Sequence, residues 1–157
     1  ILRLSESVSP NSIRRFFQPI EYSGYLIRIM AEILICDDDP TFQLASKHLL
    51  SKQAGHQCYS ARNTEEARVI LKKQKIDVLL LDIEMSSREE GLASLPLLRE
   101  LDPDLPIIMT SGRSDFEAVR RALRGGAWDY SPKDSRPEDL LHKISLALQH
   151  LKDRHKI

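Results

Sequence analysis

Four apolar runs in this chain each end in polar residues, and this pattern restricts the fold more than any other feature. The runs end at Asp37–Asp39, at Asp82, at Thr110 and at Lys133. Short, nearly continuous apolar runs are typical of strands buried on both faces of a parallel sheet. The carboxyl ends of such strands share one edge, where binding sites form. Carboxylates, a hydroxyl and an ammonium group are therefore predicted to converge at that edge.

Segments with helical periodicity separate the apolar runs, so that strand and helix alternate five times after residue 31. This alternation predicts one doubly wound, flavodoxin-like α/β domain with a five-stranded parallel sheet in the order 2-1-3-4-5 and helices on both faces. The predicted strands are Glu32–Asp37, Gln57–Ser60, Asp77–Asp82, Leu105–Thr110 and Ala127–Ser131. The predicted helices are Pro40 to about Ala54, Thr64–Gln74, about Leu92–Leu101, a segment through Leu123, and Pro137–Leu151.

Particular residues set the expected helix ends and faces. Asp39, Asn63, and either Ser114 or Asp115 are predicted N-caps. Pro96 is predicted to limit how early the third helix begins, because proline belongs in a first turn. The inner face of the first helix is predicted to comprise Phe42, Leu44, Ala45, Leu49 and Leu50.

Composition narrows the class of protein. The 157 residues are 41% hydrophobic, enough for one domain with a core. Residues 1–29 carry a small positive excess, so the remainder is mildly acidic and lacks the electrostatic footprint of a nucleic-acid-binding protein. No apolar run is long enough to span a bilayer, and Cys36 and Cys58 are predicted to be reduced and buried in a cytoplasmic protein. All histidines are predicted to lie at the surface or at helix ends: His48, His56, His142, His150 and His155.

The regular pattern begins at Met30, which divides the chain into three parts. Residues 1–29 are predicted to be an extension, either encoded upstream or added in cloning. Residues 30–151 form the domain, and residues 152–157 are a charged tail or the start of a linker. The alternative for residues 1–29 is a basic amphipathic segment for a membrane or a partner, although their apolar residues fit one helical face poorly.

The side chains at the strand ends suit phosphoryl chemistry. Neighbouring carboxylates raise one another's pKa, which a bound cation relieves, and Mg²⁺ prefers one or two carboxylates together with water and phosphate oxygens. Asp82 would serve as a metal ligand or as a nucleophile that forms an acyl phosphate. Thr110 and Lys133 would neutralise phosphoryl oxygens. Each residue alone has an ordinary structural explanation, so the prediction depends on their joint occurrence.

Four motifs follow one another at these ends: Ile-Leu-Ile-Cys-Asp-Asp, Val-Leu-Leu-Leu-Asp-Ile-Glu-Met, Pro-Ile-Ile-Met-Thr-Ser-Gly and Gly-Ala-Trp-Asp-Tyr-Ser-Pro-Lys. With them, the chain from about Met30 to Leu151 resembles a response-regulator receiver domain of bacterial two-component signalling. The resemblance implies that Asp82 accepts a phosphoryl group from a histidine kinase or a histidine phosphotransfer protein. It also implies Mg²⁺ held by Asp38, Asp82 and the backbone carbonyl of Glu84, with Asp37 acting through water.

The resemblance further implies a signalling switch rather than an enzyme, one that assists its own phosphorylation and dephosphorylation. Thr110 and Lys133 would contact the phosphoryl group, and Tyr130 matches the aromatic residue that changes rotamer on activation. The fourth helix, fifth strand and last helix would form the switching surface, which is also a possible homodimer interface. Neither a membrane nor direct nucleic-acid binding is expected of this chain.

The sequence departs from the family pattern in three places. The segment Ser86–Gly91 lacks the usual proline and is one residue longer. Asp134 replaces the proline that usually follows the lysine, which predicts a trans peptide bond there. Glu84 and Gly112 occupy the positions that tune phosphate lifetime in the family.

Two alternatives to the receiver domain fit parts of the sequence. Asp37-Asp38-Asp39-Pro40-Thr41 also fits the opening motif of a metal-dependent phosphatase of the haloacid dehalogenase type, with Asp37 as nucleophile. That family needs a further acidic pair at a strand end after the lysine, whereas only Asp134 follows Lys133 before a helix. The second alternative is a receiver-like interaction module that no longer takes phosphate, which the unusual loops suggest and the intact acids argue against.

Overall fold

A five-stranded parallel sheet forms the centre of the protein. In the computed structural model, which describes residues 19–22, 25–28, 30–112 and 116–154, the strands follow the order β2-β1-β3-β4-β5. This order confirms the predicted flavodoxin-like topology, with β3 in the middle. The strands are β1 (Glu32–Cys36), β2 (Gln57–Ala61), β3 (Val78–Asp82), β4 (Ile107–Ser111) and β5 (Asp129–Pro132).

Among the described residues, five α-helices connect and flank the strands: α1 (Pro40–His48), α2 (Thr64–Lys73), α3 (Glu90–Leu101), α4 (Phe116–Arg124) and α5 (Pro137–Arg154). A π-helical turn, Leu49–Gln53, continues α1. Two predicted N-caps are confirmed, because the Asp39 side chain accepts from the N–H of Thr41 at 2.9 Å and the Asn63 side chain accepts from the N–H of Glu66 at 2.8 Å. The predicted cap at residue 114 or 115 lies outside the described residues.

Successive side chains along the buried strands lie on opposite faces of the sheet, and each face carries its own part of the hydrophobic core. Leu34 and Cys36 of β1 pack on the side of α2, α3 and α4, whereas Ile33 and Ile35 pack on the side of α1 and α5. Every residue of β3 and β4 is buried, as expected for interior strands covered by helices on both faces. Cys36 and Cys58 are free and buried, as predicted.

The predicted inner face of α1 is partly wrong. Leu44 is 72% exposed and Ala45 is also exposed, whereas Ser46 is buried. The amide of Gln43 explains this rotation, because it donates to the backbone carbonyls of Asp37 and Ala61. These two hydrogen bonds orient the helix so that the face with residues 43, 46 and 50 lies toward the sheet.

The predicted start of α3 is also wrong. The helix begins at Glu90, two residues early, and Pro96 lies in its interior. A proline there removes one helical hydrogen bond, which costs stability. The early start is favoured by local contacts, because the N–H of Gly91 donates to the carbonyl of Ile83 at 3.0 Å and the Ser94 hydroxyl donates to the carbonyl of Gly91 at 2.7 Å.

The prediction for the histidines is wrong at one position. His56 is buried, and its Nδ1 accepts a hydrogen bond from the N–H of Ala31 at 3.1 Å. Burial lowers the pKa of His56 to about 4, although the charge of Asp77 acts in the opposite direction. His48, His142 and His150 are exposed, as predicted, and His155 lies outside the described residues.

An antiparallel hairpin precedes the domain and pairs Pro19–Tyr22 with Tyr25–Arg28. The rest of the predicted extension, residues 1–18, 23, 24 and 29, lies outside the described residues. The helix α5 runs to Arg154, three residues beyond its predicted end, and the Arg154 guanidinium lies 2.9 Å from the Asp104 carboxylate. Within residues 30–112 and 116–154, no helix has both the length and the apolar character needed to cross a membrane.

Candidate phosphorylation site

Strand register brings the predicted acids together at the carboxyl edge of the sheet. Cys36 of β1 pairs with Leu81 of β3. The residues that follow them, Asp37 and Asp82, therefore lie side by side at the edge of the sheet. Asp82 in turn pairs with Thr110 of β4. Asp37 and Asp82 are buried, whereas Asp38 is exposed. Each of these three aspartates offers a carboxylate oxygen within 4.8 Å of the others, as the sequence predicted.

Lys133 closes the site from the loop after β5. Its Nζ lies 2.7 Å from a carboxylate oxygen of Asp37 and 3.1 Å from one of Asp82. The N–H of Lys133 donates to the carbonyl of Ser111 at 2.9 Å, which fixes the loop to the end of β4. The described residues contain no cis peptide bond, so the bond between Lys133 and Asp134 is trans as predicted.

Burial and the like charge of Asp37 raise the pKa of the Asp82 carboxyl group. Loss of solvation raises its pKa most, and the charge of Asp37 raises it further, while Lys133 acts in the opposite direction; the result is a pKa of about 6. Burial by itself would lower the pKa of Lys133, but its hydrogen bond to Asp37 and the charges of both aspartates raise it. The lysine therefore stays protonated, and its single charge faces two carboxylates.

Thr110 and Tyr130 occupy the neighbouring strand ends. The Thr110 hydroxyl is buried and has no hydrogen-bond partner among the described residues. A buried hydroxyl without a partner is costly, so this oxygen is available to an incoming polar group. Tyr130 is partly buried against the core, where burial, followed by the charge of Asp134, raises the pKa of its phenol.

The first turn of α1 contributes two residues that the sequence analysis did not assign to the site. Gln43 holds the carbonyl of Asp37, and the ring of Phe42 lies 4.7 Å from the Nζ of Lys133. In the sequence these two residues stand three and four positions after the cap residue Asp39, inside a helix rather than at a strand end, so the strand-end pattern does not indicate them.

The loop after Asp82 is anchored at both ends. The N–H of Glu84 donates to the Asp82 carboxylate at 3.2 Å. The Ser86 hydroxyl donates to the Glu90 carboxylate at 2.8 Å. Glu89 has a left-handed backbone conformation, with φ of 58°, and its carboxylate lies 2.9 Å from the guanidinium of Arg121 on α4.

The donor set fits a divalent cation of the magnesium type. Hard cations prefer oxygen ligands, and all three side chains of the cluster are carboxylates. After burial, the second cause that raises the pKa of Asp82 is the like charge of Asp37, which the opposite effect of Lys133 counters. A cation close to these oxygens would relieve that repulsion.

Comparison with known proteins decides the family. The model of the response regulator receiver domain matches residues 33–145. This chain is a response regulator receiver domain. The match contains all the strand-end residues described above, and membership in the family supports a signalling role. It does not favour the phosphatase alternative, in which Asp82 would have no part.

Individual relatives agree with this assignment. The DNA-binding transcriptional regulator NtrC from Escherichia coli (strain K12) is 30% identical over 122 residues, which cover 78% of this chain and 26% of that protein. The receiver domain of NtrX from Brucella abortus is 30% identical with a TM-score of 0.70, over 74% of this chain and 98% of that one. A CheY-like receiver domain protein from Methanospirillum hungatei JF-1 is 28% identical with a TM-score of 0.74, over 80% and 99% of the two chains. This receiver domain spans about a quarter of the length of its NtrC relatives.

Proposed function

We propose that this receiver domain is a phosphorylation switch in which Asp82 accepts a phosphoryl group from a phosphohistidine of a histidine kinase or histidine phosphotransfer protein. The observation that carries the proposal is the position of the Asp82 carboxylate. It lies at the end of the central strand, 3.1 Å from the Lys133 ammonium and within reach of two further carboxylates. Phosphoryl transfer depends mainly on positioning and charge neutralisation, and this arrangement supplies both.

In the proposed transfer, a carboxylate oxygen of Asp82 attacks the phosphorus atom. The new O–P bond forms as the P–N bond to the donor imidazole breaks, and the imidazole nitrogen keeps the bonding electrons and takes up a proton. Lys133 neutralises one of the phosphoryl oxygens. The Thr110 hydroxyl, which is buried without a partner among the described residues, donates to another.

Mg²⁺ is the metal that we propose for the acid cluster. Asp38, Asp82 and the backbone carbonyl of Glu84 would hold it, with Asp37 acting through water. When bound, Mg²⁺ supplies positive charge next to the phosphoryl oxygens. The proposal is supported by the proximity of the three carboxylates and by the raised pKa of Asp82.

The switch itself involves Thr110 and Tyr130. A phosphoryl group on Asp82 adds charge and strong acceptor oxygens, which would draw Thr110 toward the site and let Tyr130 turn inward. We propose that the surface of α4, β5 and α5 responds to this change and forms a homodimer in the active state. Phe116 and Leu123 of α4 are exposed apolar residues on this part of the protein.

We also propose boundaries for the segment that carries the activity. Residues 30–151 would carry the activity, residues 1–29 would be an extension, and residues 152–157 would begin a linker. The domain would assist its own phosphorylation and dephosphorylation, with no nucleic acid or membrane as a direct partner.

Intact mass after incubation with acetyl phosphate tests the proposal. We expect the mass of one added phosphoryl group in the presence of Mg²⁺ and none with a chelator. Asp82→Asn should abolish the gain. Asp39→Asn is the matched control, because asparagine also caps helices and Asp39 lies outside the acid cluster.

Two outcomes would contradict the proposal. No gain in mass while Mg²⁺ binds would favour a receiver-like module that no longer takes phosphate. A gain that survives Asp82→Asn but is lost in Asp37→Asn would place the nucleophile on the neighbouring strand.

A further inference from the structure

The Lys133 ammonium lies between two unlike surfaces. The carboxylates of Asp37 and Asp82 lie 2.7 and 3.1 Å away, and the ring of Phe42 lies 4.7 Å from the same nitrogen. The side chain of Lys133 is only 18% exposed. An ammonium group within about 6 Å of an aromatic centroid is attracted to the face of the ring. The Lys133 ammonium therefore makes an aromatic contact in addition to its two ion pairs.

Phe42 is held firmly with respect to the acids. It lies in the first turn of α1, which is capped by Asp39 and begins with Pro40. The next residue, Gln43, donates to the carbonyls of Asp37 and Ala61 and so attaches this turn to the ends of β1 and β2. The backbone of Phe42 consequently has a defined place relative to the carboxylates.

The Phe42 ring and the Lys133 side chain lie beside a surface groove. Phe42, Thr110 and Lys133 line one groove of about 700 Å³ between α1 and the beginning of α5. Without the ring, the Lys133 ammonium would face this open groove. A lysine side chain is flexible, so a surface that restricts its rotamers improves the preorganisation of the ammonium group.

We propose that Phe42 is a positioning residue for phosphoryl transfer, because its ring covers the Lys133 ammonium and keeps it directed toward Asp82. This inference rests on the proposed phosphorylation of Asp82. The ring does not touch the reacting atoms; it acts through Lys133. An aromatic face is the required property, so tyrosine should replace phenylalanine and an aliphatic residue should not.

The test compares Phe42→Leu with Phe42→Tyr. Initial rates of Asp82 phosphorylation are measured by intact mass at several acetyl phosphate concentrations, with saturating Mg²⁺ and below the unfolding transition of each variant. We expect Phe42→Leu to lower the maximal rate by about two- to fivefold, the range that a partly exposed cation–π contact supplies. Phe42→Tyr should restore the rate. Leu44→Ala is the control for the groove, because Leu44 lines it on the same helix and is largely exposed.

A spectroscopic measurement accompanies the rates. The ε-methylene protons of Lys133 should show an upfield ring-current shift in the unmodified protein and in Phe42→Tyr, and lose it in Phe42→Leu. This signature reports the contact directly, whereas a merely structural role for Phe42 would not require it.

The outcomes separate the inference from the proposed function. If the parent protein takes the phosphoryl group and Phe42→Leu matches its rate, the inference is wrong and the proposed function stands. Equal slowing in the leucine and tyrosine variants would also overturn it, because the aromatic face would then not be the property that matters. If the parent protein gains no mass, both fail.

Discussion

Gly91 lies against the backbone of Asp82 so closely that no other residue fits. A Cβ built on Gly91 would lie 1.7 Å from the carbonyl oxygen of Asp82 and 2.7 Å from its carbonyl carbon. The first turn of α3 therefore packs directly on the residue that we propose as the phosphoacceptor. Since the neighbouring atoms belong to backbone, no side-chain rotation relieves the clash.

Gly91→Ala should consequently destabilise the domain and displace Asp82. Overpacking in a tight site costs about 1–3 kcal/mol, and the backbone clash places this substitution at or above the upper end of that range. Denaturant unfolding gives the loss of stability, and acetyl phosphate labelling should show slower phosphorylation. Gly112→Ala is the matched substitution for the stability measurement, because a Cβ there meets no described atom within 4 Å. Equal stability of both alanine variants would contradict this account.

Asp82→Asn should stabilise the metal-free protein above pH 6. The native pKa of Asp82 is about 6, whereas its ordinary value is 3.8. Between these values the native state binds more protons than the unfolded state, so stability falls as the pH rises through this window. Asparagine removes that penalty, which we expect to be on the order of 1–2 kcal/mol after screening.

Urea unfolding of both proteins in a chelator, from pH 4 to pH 8, measures this difference. The advantage of Asp82→Asn should be largest above pH 6 and shrink toward pH 4. Added Mg²⁺ should narrow the gap by compensating the carboxylates of the parent protein. A variant less stable than the parent at pH 7.5 in the chelator would show that Lys133 already compensates Asp82.

His56 should impose the opposite pH dependence. Its pKa is about 4 in the folded protein and 6.5 ordinarily, so the unfolded chain takes up the proton first as the pH falls. The stability that neutral His56 provides is complete above pH 6.5 and is lost as the pH falls toward 4, by on the order of 2–3 kcal/mol. Protonation also removes the acceptor for the N–H of Ala31.

His56→Asn separates this effect from that of Asp82, because asparagine keeps an acceptor and does not titrate. The variant should lose some stability at pH 7.5 through lost packing but show a weaker decline between pH 6.5 and pH 4. The opposing slope is absent in Asp82→Asn, so comparing Asp82→Asn with the double variant Asp82→Asn/His56→Asn isolates the slope that His56 contributes. An unchanged decline in that double variant would assign the pH dependence to other groups.

The sequence predicted the acid site well because the backbone leaves little freedom at parallel strand ends. Once β1, β3 and β4 are identified, register places Asp37, Asp82 and Thr110 at one edge. Lys133 follows β5 directly, so it reaches the same edge. The convergence of these side chains therefore depends on order along the chain rather than on details of packing.

Packing details were the part that the sequence did not supply. An apolar stripe shows that α1 packs on the sheet but does not fix its rotation, which depends on the hydrogen bonds of Gln43. The burial of His56 follows from a single backbone N–H that needs an acceptor. The contact of Phe42 with Lys133 joins two elements distant in sequence, and no periodicity signals it.

Glu89 and Arg121 form an ion pair. It joins the loop after Asp82 to α4, but the two side chains are 30% and 51% exposed, so the pair should contribute less than about 1 kcal/mol. The backbone of Glu89 carries a separate cost, because its φ of 58° lies in the left-handed region, where a residue other than glycine is strained by about 1 kcal/mol or more.

Glu89→Gln removes the charge and keeps the strained backbone, whereas Glu89→Gly removes both. Denaturant unfolding should therefore show a small loss for glutamine that disappears at high salt, and a gain of about 1 kcal/mol for glycine relative to glutamine. A double-mutant cycle with Arg121→Gln isolates the ion pair, since the second substitution should have little further effect once Glu89 is neutral. If glycine is no better than glutamine, the left-handed conformation at Glu89 is not costly, and the loop after Asp82 is accommodated without backbone strain.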